Sequence, residues 1–233
     1  MSMGSPEHRS ELQGDPVSLR VWGPHACFTR PDLKAERHTY DVITPSAARG
    51  IFDAIYWTCG MRWRIDRIWV ERPVRYLGVR RAELKHTISA KYAEAARKRN
   101  STLGVAMEAG EDRQQRGATI LRDVSYVLEG TILQEDVHGG ESRLLKHQAI
   151  FRRRARRGQC FHQPYLGVRE FPAAFAPADS PPVLHPDLAG EHHLGWMLYD
   201  IRFGRPNRPV FFNAVMCDGL IDLTSCVLDG ERP

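Results

Sequence analysis

Residues 118–134 constrain the fold most. Ile120, Val124, Tyr126, Leu128, Thr131 and Leu133 make this stretch dense in strand formers, with Gly130 as its one interruption. Such a run predicts a strand at the centre of a sheet, and the remaining elements must be arranged around it. Residues 16–22 alternate apolar and polar side chains and end at Gly23-Pro24, which reads as a first strand closed by a turn. Residues 61–71 alternate again, with a slip between Ile65 and Ile68 that fits a β-bulge, and residues 73–80 supply an adjacent extended run.

Two helices punctuate these strands. Thr44 is placed to cap free N–H groups and Pro45 suits a first helical position, so a helix opens there. Ala47, Ala48, Ile51, Ala54 and Ile55 give it one apolar stripe. Residues 141–157 carry helical spacing through Leu144, Leu145, Gln148 and Phe151, Gly158 ends the helix, and residues 159–166 follow as a strand. Residues 83–117 turn polar, with a short basic helix over 91–99, and read as an insertion: either a solvated helix and loop, or a grip on RNA or a neighbouring subunit.

The order strand, helix, strand, strand, strand, helix, strand predicts an α+β chain. We expect a ferredoxin-like, RRM-like N-terminal domain over residues 16–171, with an antiparallel sheet and two helices on one face. A disordered leader over 1–15 precedes it. The proline-bearing stretch 173–186 reads as a linker or rigid loop, and residues 195–203 and 210–227 as strands of a smaller C-terminal β-sheet element, the whole tail spanning 172–233. That layout hosts many functions and by itself selects none.

Composition narrows the class. With 42% hydrophobic and 26% charged residues, and no apolar run near the roughly 20 residues of a membrane span, the chain reads as a soluble protein with no membrane partner, cytoplasmic by default. Cys27, Cys59, Cys160, Cys217 and Cys226 are odd in number and form no C-x-x-C pair, so they suggest neither a disulfide framework nor a zinc site. His185, His192 and His193 lack a carboxylate or thiol at a recognised ligand spacing, so no metal or cofactor is implied. The formal charge of +5 favours an anionic partner, and its distribution says more than its sum. Residues 25–43 mix cations and rings (Phe28, Arg30, Lys34, Arg37, His38, Tyr40), as a nucleic-acid surface does. Arg152, Arg153, Arg154, Arg156 and Arg157 crowd the end of the second helix, where Glu141 is the only nearby acid. They either complement the helix dipole or bind phosphate, and their density favours phosphate.

Lys146 and His147 precede that run. A base for a 2′-hydroxyl, an acid for the departing 5′-oxygen and a cation for the pentavalent phosphate suffice to cleave RNA without a metal. His147 can serve as acid or base and Lys146 as the cation, although spacing alone does not assign them this work. Arg49 and Tyr56 fall on nearly one flank of the first helix: a phosphate contact beside a proton-transfer group, or a solvated arginine and a core-edge tyrosine.

Several strings together resemble one family. Val21-Trp22-Gly23 with Phe28-Thr29-Arg30-Pro31, the run from Thr44 through Ile51 to Ala54-Ile55-Tyr56-Trp57, Leu121 to Tyr126, Tyr165 to Phe171, Gly195 to Asp200, and Ala214-Val215-Met216 look like the fifth CRISPR-associated family in its subtype I-C variant. The resemblance covers nearly all of the chain after the leader. It implies a repeat-associated RNA-binding fold of the RAMP superfamily and a metal-independent endoribonuclease. Such proteins cut the CRISPR precursor within each repeat hairpin and stay on the 5′ handle of the guide, beside the other subunits of the type I-C surveillance complex (Cascade). It assigns catalysis to Tyr56, Lys146 and His147, and RNA contact is expected from Arg30, Arg49 and the five arginines after the Lys-His pair. The competing readings are a non-catalytic subunit that only holds the handle and a metal-dependent nuclease, the latter disfavoured by sparse carboxylate clusters.

Overall fold

The run dense in strand formers is the middle of a longer strand. A computed structural model describes residues 11–33, 36–84, 89–100, 113–135, 140–202, 204 and 206–229. In chain order the elements are β1 (Glu11–Gln13), β2 (Val17–Ala26), β3 (Arg37–His38), α1 (Pro45–Ile55), β4 (Met61–Val70), β5 (Tyr76–Leu84), α2 (Ala90–Arg99), β6 (Arg113–Glu135), α3 (Gly140–Arg156), β7 (Ala174–Pro177), a 3-10 turn at Pro186–Leu188, β8 (Glu191–Arg202), β9 (Arg208–Cys217) and β10 (Leu220–Asp222).

β6 is the spine. Along one edge lie β3, parallel at Ala118 and Thr119, then antiparallel β2 and β1; along the other lie β5 and then β4, both antiparallel. The expected neighbours β4 and β5 therefore sit end to end on β6 instead of pairing with each other. Asp123, with a left-handed φ of 53°, falls where β6 changes partner between them. The bulge expected in β4 is present, as a register shift between Ile65 and Arg67. Outward, β7 pairs with β2 and β10 with β4, and β9 and β8 complete a 10-stranded sheet. The molecule is thus α+β with a large, mostly antiparallel sheet.

α1 and α3 pack on the sheet through their apolar faces. Ala48, Ile51, Phe52, Ala54 and Ile55 of α1 and Leu144, Phe151 and Ala155 of α3 are buried. Phe52 stacks on Phe151 at 5.1 Å, and Trp63 of β4 packs on both rings, at 4.9 and 4.6 Å. Each such ring stabilises the fold by about 1.5–3 kcal/mol of burial. Gly130 interrupts the strand pattern because a Cβ there would lie 3.1 Å from the Phe52 ring and 3.2 Å from the Arg64 carbonyl.

The structure departs from the sequence expectations at several places. Gly23-Pro24 is no turn, since β2 continues to Ala26. β7 covers only Leu19–Trp22, which leaves that edge of β2 open at proline. The leader was expected to run to residue 15, yet Glu11–Gln13 pairs with β6, Gly14 donates to the Ile132 carbonyl and Gln148 of α3 holds the Asp15 carbonyl at 2.7 Å. Residues 1–10 lie outside the described residues. Within the expected insertion α2 forms, while residues 83–84 and 113–117 extend the β5–β6 hairpin; residues 85–88 and 101–112 lie outside the described residues. Residues 159–166 form no strand. Gly158 takes a φ of 61°, the amides of Phe161 and His162 go to the Ala54 carbonyl, and Pro164 has no N–H for a ladder. The stretch expected as a linker contains β7 at its start, and the C-terminal strands continue the main sheet through β10 instead of forming one of their own.

Candidate active site

α1 begins as its sequence dictates: the Thr44 hydroxyl accepts from the Ala47 amide at 3.2 Å, and Pro45 takes the first helical position. Its other end is closed from outside. The Tyr56 amide donates to the Phe52 carbonyl, after which the backbone turns extended (φ −156°, ψ 122°). The Ala54 carbonyl accepts from the Phe161 amide at 2.8 Å, the Ile55 carbonyl from Arg154 Nη1 at 2.8 Å, and the Tyr56 carbonyl from the Trp63 indole at 2.9 Å. These donors satisfy carbonyls that a helix terminus leaves open, and they fix the direction in which the Tyr56 side chain leaves.

That direction leads to α3. The Tyr56 hydroxyl lies 2.7 Å from His147 Nδ1, joining residues 91 apart in the chain. His147, Phe151 and Arg154 fall at i, i+4 and i+7, one face of α3: histidine meets the phenol, phenylalanine fills the core beneath, and the Arg154 guanidinium carbon stands 5.1 Å from the centre of the Tyr56 ring. Burial raises the Tyr56 phenol above its ordinary 10, with Arg154 pulling the other way. His147 is lowered below 6.5, first by burial and then by the cations Arg143 and Lys146. Near neutral pH the pair is therefore a protonated phenol and an uncharged imidazole. Because Nδ1 is engaged, Nε2 is the nitrogen left for a substrate. Lys146 is exposed on α3 next to the pair and has no partner among the described residues.

The arginines divide. Arg152, Arg153, Arg156 and Arg157 are exposed and make no ion pair among the described residues, whereas Arg154 is turned inward onto α1. Arg49 is committed elsewhere: it bonds Asp53 at 2.7 Å and grips Asp200 of β8 at 2.9 and 3.0 Å. It is a strut between α1 and β8 and does not stand beside Tyr56 as a free phosphate contact. Arg30 lies over the Tyr40 ring and 3.5 Å from Asp32. The roles of Arg154 and Arg143 went unread in the sequence. The signal was present, since Arg143 precedes His147 by one turn and Arg154 follows it by two. Among the described residues no three His, Cys, Asp or Glu side chains gather to hold a metal ion, and no helix is long and apolar enough to cross a membrane.

Comparison with known proteins places the fold first. The chain superposes on a solved structure described as a CRISPR-associated protein with a TM-score of 0.65, at 20% identity, covering 94% of this chain and 99% of that one. A functionally uncharacterized protein from Streptococcus mutans gives 0.63, also at 20% identity, over 94% and 98%. These likenesses establish a shared fold. The family description "CRISPR-associated protein (Cas_Cas5)" matches residues 17–224. Among curated relatives, "CRISPR pre-crRNA endoribonuclease Cas5d" of Mannheimia succiniciproducens is 47% identical over 211 residues, 89% of this chain and 94% of the relative. The protein of the same description from Thermus thermophilus is 35% identical over 228 residues, 89% and 90% respectively. The chain belongs to the Cas5d family of CRISPR-associated proteins.

Proposed function

We propose that this chain is an endoribonuclease that cuts CRISPR precursor RNA within the repeat hairpin and then holds the 5′ handle as a subunit of a type I-C surveillance complex. The observation that carries the chemistry is the 2.7 Å contact between Tyr56 and His147, in a family whose curated relatives bear the name of pre-crRNA endoribonuclease. In the tautomer whose Nδ1–H donates to the Tyr56 oxygen, His147 Nε2 is free to take the proton of the 2′-hydroxyl, whose oxygen attacks the adjacent phosphorus. The P–O5′ bond breaks and the Tyr56 hydroxyl protonates the departing oxygen. Lys146 offsets charge on the phosphoryl oxygens. The products are a 2′,3′-cyclic phosphate and a 5′-hydroxyl. Arg152, Arg153, Arg156 and Arg157 bind the RNA backbone.

We also read β2, α1, β4, β6, α3 and β7 as a ferredoxin-like unit. The antiparallel order β7-β2-β6-β4 supports this and carries the unit through Pro177, past residue 171.

The test is incubation with repeat RNA in EDTA. Cleavage is expected, with Tyr56→Phe and His147→Ala each slowing it by about 10²–10⁴-fold and Lys146→Ala by about 10²–10³-fold, while RNA affinity changes little. A deoxyribose 5′ of the cut should block cleavage and spare binding. Wild-type protein that binds but never cuts overturns the nuclease reading and leaves the handle-holding role; three variants that cut at the wild-type rate overturn the assignment of the chemistry to Tyr56, Lys146 and His147.

A further inference from the structure

Phe161 is the most exposed large apolar side chain among the described residues, with 84% of its surface open to solvent. It is also rigidly held. Gly158 reverses the chain after α3, the Gln159 amide returns to the Arg154 carbonyl at 2.9 Å, and the Phe161 amide donates to Ala54 in the last turn of α1. Two helix ends thus hold the backbone of an exposed ring, met edge-on by His162 at 6.0 Å, where apolar burial gives it no reason to be. Ala54 is two residues from Tyr56, a span of at most about 7 Å of chain, so the backbone that carries the ring is tied close to the backbone that carries the phenol. Four residues before it, the cationic end of α3 finishes at Arg157. Trp57, directly after Tyr56, is 58% exposed.

We propose that Phe161, with Trp57 as a second ring, is a stacking platform for unpaired nucleobases flanking the linkage that is cut. The charge beside it selects this occupant. Exposed arginines along a backbone path, followed by a ring fixed at the end of that path, form the arrangement that single-stranded nucleic acid recognises. One base stacked on Phe161 limits rotation of the strand and holds the adjacent 2′-hydroxyl toward His147. The platform rests on the nuclease reading for its position, and on its own geometry for its ligand.

The experiment uses full-length protein and repeat RNA carrying 2-aminopurine beside the cut and a deoxyribose at the cut, so that binding is read without cleavage. Fluorescence quenching on binding is expected with wild type. Phe161→Leu should lose the quenching and weaken binding by about 10- to 100-fold, and Phe161→Tyr or Phe161→Trp should restore both, because a planar ring and not merely an apolar one is needed. Trp57→Leu should lose quenching on one side only. Equal affinity and equal quenching in Phe161→Leu would overturn the platform and assign the ring to a protein surface. Quenching by wild type with no cleavage of all-ribose RNA would overturn the nuclease reading while the platform stood.

Discussion

A tyrosine and a histidine that share a hydrogen bond report on each other's protonation. The folded pKa of His147 lies below 6.5, so its uncharged form prevails through neutrality and is lost only in acid. Cleavage is expected to be level from about pH 7 up to the raised phenol range, where Tyr56 loses the proton it donates, and to fall as pH drops beneath the histidine range. A histidine acting as the acid would give the reverse slope. Arg143→Ala removes one of the cations that depress His147, so the acid limb should move to higher pH, as read in a single-turnover pH–rate profile. Arg154→Ala leaves the Ile55 carbonyl without its donor and Tyr56 without the guanidinium on its ring. It should cost about 1 kcal/mol of stability and up to about a hundredfold in rate through misplacement. The tyrosinate absorbance should titrate at still higher pH, because the one cation lowering that pKa is gone. Arg154→Lys should return the charge without the guanidinium's reach to the Ile55 carbonyl.

α3 shows how far an element can be read from its own residues. Its start, its stop at Gly158 and, through Leu144, Gln148 and Phe151, its buried stripe are matters of local periodicity and were legible, as were the cap of α1 and the bulge in β4; Leu145, read into the same stripe, is instead 63% exposed. The sorting of its arginines was not, because a run of five cations does not reveal which of them the neighbouring helix end will claim. Replacing Arg152, Arg153, Arg156 and Arg157 by Ala should flatten the dependence of RNA affinity on salt by about 0.7–0.9 log units for each phosphate that is no longer neutralised. An unchanged slope would remove this helix end from the interface. The segment after α3 misled for a related reason. Gln159 to Leu166 has strand composition, but the Gln159 amide is spent on the end of α3 and those of Phe161 and His162 on the end of α1, so no ladder forms along it.

For the whole molecule, the central strand was legible because its density of strand formers needs no partner to be seen. Its two occupied edges, the recruitment of β7 from a proline-bearing stretch and the continuation through β10 depend on pairings far apart in sequence, which no window of residues contains. Arg49 is the sharpest example. Asp200, which takes its guanidinium, is 151 residues away, so a phosphate contact was as legible as the strut that is present. Asp200→Ala should leave that guanidinium to Asp53 alone and loosen β8 from α1, at about 1–3 kcal/mol, measured as a lowered denaturation midpoint with the same cleavage products. The 91-residue gap between phenol and imidazole sets a timing on the protein's own manufacture. A ribosome delivers Tyr56 long before α3, so under the proposed mechanism a nascent chain carries only half of a cutting centre past every transcript it meets. On that proposal, only when α3 emerges and docks does the newly made protein become dangerous to RNA.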